Sequence, residues 1–138
     1  MSYPDKCPPA RRGVAAVELA IVLPFLCFLL IVAIDYARIF YFSLTVANCA
    51  RNGALYASKD PAHAVDTSGI SSAASMDAGN LDSTLLTVSS KPDSASNPTY
   101  VDVTVTYPFT TITNFPGITS STTLSRTVRM LVIPLTTN

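Results

Sequence analysis

Residues 14–34 form an apolar run that carries a single charge, Glu18, and Arg11, Arg12 and Gly13 stand directly in front of it. A helix needs about 20 predominantly apolar residues to cross a hydrocarbon core of ~30 Å, and this run matches that length. Tyr36, Phe40, Tyr41 and Phe42 follow at once, as expected of an aromatic belt at the membrane–water interface. Lys6, Arg11 and Arg12 flank the run on its N-terminal side, against Arg38 beyond it. The bias of positive charge predicts a cytoplasmic N-terminus and an exported remainder.

The run also limits what is left to make a soluble core. Of 138 residues 49% are hydrophobic, but that average is loaded into the first third, and 58–98 is rich in Ser, Ala, Asp, Asn and Pro. A small core is expected, drawn from the residues after 82 and from one helix face. Charge is partitioned too. Lys6, Arg11 and Arg12 against Asp5 make residues 1–13 basic, and six basic against eight acidic residues make the remainder slightly acidic. No basic patch points to nucleic acid.

Residues 1–13 are polar, with Pro4, Pro8 and Pro9 opposing a helix. No small-x-small cleavage site closes the apolar run, as it would in a secretory signal; Asp35, Tyr36 and Arg38 follow instead. Cys7, Cys27 and Cys49 lie before, inside and after the run. They cannot pair with one another on one side of a membrane, and no CxxC spacing suggests zinc. Cys49 reads as a small helix-face residue, with an intermolecular disulfide as the alternative.

One helix from Val14 to about Ala57 would be about 65 Å long at ~1.5 Å per residue. Pro24 removes the hydrogen bond to the Ala20 carbonyl. It reads either as a proline of the kind membrane helices tolerate, or as a weak point that lets the helix bend on leaving the bilayer. Beyond the run, Ile39, Phe42, Val46, Cys49, Ala50 and Gly53 recur at spacings of three and four and make one apolar stripe. Arg38, Thr45, Asn48, Arg51 and Asn52 are largely kept off it. Asp35 and Arg38, three apart, can pair on the helix surface for about 0.2–0.5 kcal/mol. The small residues Ala47, Ala50, Gly53, Ala54 and Ala57 would admit another element closely.

Glu18 has two readings. An acid in the first turns of a helix is favoured by the dipole and can snorkel to the interface. Alternatively, if the bond after Gly13 is cut, Val14 becomes a free α-ammonium and Glu18 its fifth residue. A neighbouring subunit shifted by about one turn could then pair its ammonium with this carboxylate in an apolar bundle.

The segment resembles the TadE-like family of pseudopilins, which belong to the Flp/Tad pilus and secretion apparatus. The resemblance rests on Arg11-Arg12-Gly13, Ala16-Val17-Glu18-Leu19-Ala20, Val22-Leu23-Pro24 and Arg38. Ala50-Arg51-Asn52-Gly53-Ala54 and Tyr56-Ala57 complete the set, so that it covers about residues 11–57. It implies cleavage after Gly13 by a prepilin peptidase, and a role for Glu18 in assembly or membrane extraction. It also implies an outer-helix motif of Asp35, Arg38, Arg51 and Gly53. The implied partners are the inner membrane, the peptidase, other pilin-like subunits and the pilus assembly platform.

Past the helix, Ser58 to Ala64 reads as a turn with Asp60-Pro61 ending the helix, and His63 as a surface loop residue. Residues 67–79 suggest a short helix bounded by Gly69 and Gly79. Three strands are expected, in 83–90, 99–107 and 122–133. The second alternates Val101, Val103, Val105 and Tyr107 against Asp102, Thr104 and Thr106. The third sets Leu124, Val128, Met130 and Val132 on one face, interrupted by Arg126. Lys91-Pro92-Asp93, Asn97-Pro98, Pro108 and Phe115-Pro116-Gly117 mark the connections.

The expected fold is therefore α+β and pilin-like, with a long helix whose outer half covers a three-stranded antiparallel sheet. Its parts are a leader (1–13), a membrane segment (14–35), an exported half-helix (36–57) and a small exported domain (58–138). No Gly-x-Ser-x-Gly, paired-carboxylate or phosphate-loop pattern indicates an enzyme, a small-molecule substrate or a cofactor. The sequence thus points to a minor pseudopilin-like protein of the inner membrane, acting in pilus assembly or adhesion. The alternative is an uncleaved, signal-anchored protein that presents a small β-rich binding domain.

Overall fold

The structure is a computed structural model and describes residues 12–112 and 120–134. Residues 1–11, and with them Cys7, Lys6 and most of the expected leader, lie outside the described residues, as does Phe115-Pro116-Gly117. The element order is α1 (Arg12–Ala57), α2 (Pro61–Val65), α3 (Thr67–Ser75), β1 (Thr87–Pro92), β2 (Tyr100–Thr110) and β3 (Ser121–Leu131). The chain divides into two compact units with the boundary between Ile34 and Asp35.

In the first unit α1 is exposed almost throughout, and none of its most apolar window is buried. Among the described residues it is the one helix long and apolar enough to cross a membrane. Pro24 stands inside the continuous helix.

In the second unit the outer half of α1 acquires a buried stripe. Val46, Cys49, Ala50, Ala54 and Ala57 are fully buried, and Gly53 lies among them. They pack on the sheet, whose strand order is β1-β2-β3 with both pairings antiparallel. Central β2 turns Val101, Val103, Val105, Tyr107 and Phe109 into the core, with Ile70 and Ala74 of α3 beside them. Phe42 meets the edges of Tyr107 and Phe109 at centroid distances of 6.0 and 5.5 Å. Phe42 therefore belongs to the core and not to the aromatic belt; Tyr36, Phe40 and Tyr41 remain exposed.

The other sheet face is polar. Asp102 receives two 2.6 Å hydrogen bonds from Arg129, which also lies 4.2 Å over the Tyr100 ring, and Thr104 bonds Thr127 at 2.8 Å. Arg126, which interrupts the apolar face of β3, escapes the core by reaching Ser43 of α1 at 2.7 Å. On an edge strand a long side chain can bury its stem and still find a polar partner.

The expected sheet is present, but two prolines sit inside strands where breaks were expected. Pro92 closes β1 opposite Val101, and Pro108 lies in β2 opposite Thr123. Neither position costs a central ladder bond. β1 is an edge strand, and its pairing with β2 ends at Thr87↔Thr106, leaving Pro108 only β3 as a neighbour. Proline is tolerated at such edges. The true turn after β1 is held by Asp93, which accepts from the Thr99 and Tyr100 amides at 2.8 and 3.3 Å.

Residues 61–65 are helical and not a turn. Asp60 caps them by accepting from the His63 amide at 2.8 Å, with Pro61 in the first helical position. His63 is thus a helix residue. Asp66 caps α3 in the same way through the Gly69 amide. Gly69 lies inside α3 and does not bound it, because a Cβ there would collide with the Asp66 carboxylate and the Tyr56 hydroxyl.

Gly53 sets how closely helix and sheet approach. A Cβ at that position would stand 3.1 Å from Val103 Cγ1 and 3.3 Å from Ala74 Cβ. We expect Gly53→Leu to destabilise the outer unit by about 1–3 kcal/mol through overpacking. Leucine at exposed Asn48 should change stability by no more than about 0.5 kcal/mol. Thermal unfolding of the two variants in detergent, followed by circular dichroism, checks the contrast.

Candidate functional site

The residues singled out by sequence fall into two groups, one in each unit. Gly13, Val14 and Glu18 occupy the first turns of α1. All three are exposed, and nothing lies within 4 Å of where a Gly13 side chain would start. Val14 and Glu18 are four residues apart, a rise of about 6 Å along one face of the helix.

The second group surrounds Asp35, which the structure buries to 5% exposure. Its carboxylate accepts the Ile112 amide at 3.1 Å and a long 3.4 Å contact from Arg38 Nη1. The Arg38 guanidinium in turn lies 5.2 Å from the centre of the Phe109 ring and 5.7 Å from that of Phe42. Asp35 and Arg38 are therefore more than a surface pair on the helix. Together they fasten the end of β2 to α1. Ile112 and Phe109 were not anticipated as parts of this site. Spacing three shows that two residues share a helix face, but not that a strand end arrives beside them.

Arg51 is exposed and makes no hydrogen bond or ion pair among the described residues, whereas Gly53 is wholly internal. The four outer-helix residues thus separate into a fastening (Asp35, Arg38), a close-packing position (Gly53) and a free surface cation (Arg51). Cys49 is buried and free. Burial, with a smaller contribution from the Asp77 charge, raises its thiol pKa, so the thiol is poorly suited to intermolecular disulfide chemistry.

A polar cluster near the end of α1 was also missed. The Tyr56 hydroxyl donates to Asp66 at 2.9 Å, the Tyr56 ring packs edge-on against His63 at 4.8 Å, and His63 Nδ1 lies 2.7 Å from Asp60. The hydrogen bond to Asp66 raises the Tyr56 pKa. The amide of Gly69, then the hydroxyls of Ser68 and Tyr56, hold Asp66 down to about 2. Asp-Pro at 60–61 was a usable signal for a new helix start. Among the described residues no group of three His, Cys, Asp or Glu side chains is placed to hold a metal ion.

The acids as a set are informative. Asp35, Asp60, Asp66, Asp82 and Asp93 each accept a backbone amide. Asp77 accepts from Asn52 at 2.6 Å, and Asp102 holds Arg129. Every described aspartate is used inside the outer unit. Glu18, the remaining described acid, has no hydrogen bond or ion pair among the described residues.

The described chain is an exposed apolar helix, long and apolar enough to cross a membrane, that leads into a small α+β unit. Within it, the family model described as TadE-like protein matches residues 13–55, the greater part of α1. No curated protein and no solved structure matches the chain.

Asp66 has a lower pKa in the folded chain (about 2) than its ordinary 3.8. Its contribution to stability is therefore complete above the ordinary value and is lost as pH falls toward 2. Asp60, Asp82, Asp93 and Asp102 are lowered too, chiefly by hydrogen bonds from His63, Thr84, Thr99 and Arg129. We expect the outer unit to lose stability steadily below pH 4. Asp66→Asn should make that loss shallower, as read from denaturant midpoints measured across an acid series.

Proposed function

We propose that this chain is a minor pseudopilin-like component of a Flp/Tad-type pilus or secretion apparatus. In this reading it is held in the bacterial inner membrane by residues 14–34, with its N-terminus in the cytoplasm and its α+β unit outside. The TadE-like match over residues 13–55 supports the pilus association, and the basic residues Lys6, Arg11 and Arg12 support the orientation.

The observation that carries the mechanism is that exposed Glu18 has no hydrogen bond or ion pair among the described residues. An unpaired carboxylate on a lipid-facing helix is costly, by about 2.5–3.5 kcal/mol for a charge at the centre of a span and less near its end. Cleavage after Gly13 by a prepilin peptidase would create a complementary charge, the α-ammonium of Val14. That ammonium lies one turn from Glu18 of its own chain. A subunit staggered by about one turn would bring its own Val14 ammonium to the first subunit's Glu18 inside an apolar bundle. Neither charge is then left alone, and the pairing favours one stagger over others. Pro24, a few residues further on, would ease bending of the helix as it leaves the bilayer. Partners on this reading are the peptidase, other pilin-like subunits and the assembly platform.

The mature protein, recovered from membranes of cells with an active prepilin peptidase, should begin at Val14 on N-terminal sequencing. An intact Met1 under those conditions would refute processing and favour the uncleaved anchor with a small binding domain. Glu18→Ala should still be cut but should no longer co-purify with partner subunits or support piliation. Normal piliation of that variant would remove Glu18 from the mechanism.

A further inference from the structure

The described residues carry one surface whose partner is set by its position in the chain. Tyr36 (72% exposed) and Phe40 (67%) follow the apolar run on α1, and Ile112 (66%), beyond the end of β2, is equally bare. Ile112 is distant in sequence but not in space, since its amide donates to Asp35 at 3.1 Å. The ring contacts of Arg38 with Phe42 and Phe109 fix the same end of β2. Ile112 therefore lies beside the first residue after the apolar segment.

We infer that this end of the outer unit is seated in the lipid headgroup layer, with Tyr36, Phe40 and Ile112 in contact with lipid. The inference rests on the membrane reading of residues 14–34 and adds a second attachment through the β2 end. Three considerations select lipid over a protein partner. The headgroup layer extends about 5–8 Å beyond the hydrocarbon core. At ~1.5 Å per residue, Tyr36 and Arg38 rise no more than about 6 Å past Ile34, and Phe40 about 9 Å. Tyr36 thus falls at the depth where amphipathic rings are enriched, with Phe40 at its outer edge.

The polar groups suit that depth as well. The Arg38 side chain is 35% exposed, enough to meet a lipid phosphate while its stem covers Phe42 and Phe109. The Ile112 amide would be expensive to leave unsatisfied near hydrocarbon, and it is given a carboxylate acceptor from within the protein. The buried Asp35 carboxylate is that acceptor. It allows the β2 end to sit against lipid without depending on water.

The sequence contains no tryptophan, so single-tryptophan variants of the full chain report one position each. Ile112→Trp, Leu26→Trp in the span and Ser96→Trp in the β1–β2 turn would be reconstituted in phosphatidylcholine–phosphatidylglycerol vesicles. One set of vesicles would carry phosphatidylcholine brominated near the headgroup end of its chains, to report on Ile112→Trp, and a second set phosphatidylcholine brominated near the chain ends, to report on Leu26→Trp. We expect Ile112→Trp to emit to the blue of Ser96→Trp and to be quenched by the brominated lipid. Adding Asp35→Ala should reduce that quenching while leaving Leu26→Trp unchanged. Quenching at Leu26→Trp with solvent-like, unquenched emission at Ile112→Trp overturns the inference and spares the membrane anchor. Blue-shifted but unquenched emission overturns it in favour of a protein partner. A Leu26→Trp reporter that brominated lipid does not quench overturns the anchor and the inference together.

Discussion

A single backbone helix, α1, presents two different surfaces. From Val14 to Ile34 its side chains are apolar apart from Glu18 and are largely exposed; from Asp35 onward one stripe is buried under a sheet. The sheet depends on that second packing together with α3, whose Ile70 and Ala74 are buried in the same core. Val101, Val103 and Val105 are fully buried, and each is worth about 1.5–3 kcal/mol on removal from water. That gain is available only if the helix comes close. Cys49, Ala50, Gly53, Ala54 and Ala57 are the side chains that let it do so. A larger residue at Gly53 would part the elements and forfeit contacts along the stripe.

With so small a core, the ends of the elements must be held by other means, and the aspartates do this. Each of α2, α3, the β1–β2 turn and the segment after β2 is fastened by an aspartate that accepts backbone amides. Such bonds satisfy donors that would otherwise be orphaned at a helix start or a turn. Together with side-chain donors such as Thr84, Thr99 and Arg129 they also explain the pKa pattern. Asp60, Asp66, Asp82, Asp93 and Asp102 are all shifted downward by hydrogen bonds. A protein that uses its carboxylates as fasteners is stabilised at neutral pH and loosened by acid.

Much of this was legible in the sequence, for definable reasons. The stripe Phe42, Val46, Cys49, Ala50, Gly53 has the helical period, and 101–107 has the strand period, so each element announced the face it buries. Elements that depend on tertiary context were misjudged. Pro92 and Pro108 look like strand breakers until the sheet order shows that neither occupies a doubly paired position. Asp60-Pro61 ends one helix and caps another, and the sequence alone favoured only the first role. Asp35 was visible as an acid three residues from an arginine. Its acceptor role toward Ile112 requires knowing where a strand 77 residues away comes to rest.

The helix also carries two charges without intrachain partners among the described residues, Glu18 and Arg51, and they do not weigh the same. An exposed guanidinium in water is fully solvated, and pairing it would gain little. Its exposure is therefore no evidence for a partner. A carboxylate on a helix surface meant for lipid has no such solvation, and every mechanism that lowers its cost has a geometric signature. Snorkelling needs the interface within reach of the side chain, whereas pairing needs a cation at the same depth. On the proposed reading, a cut after Gly13 supplies an α-ammonium at that depth without a further basic side chain in the bilayer. On that reading Glu18, unlike Arg51, has a reason to recruit a neighbour.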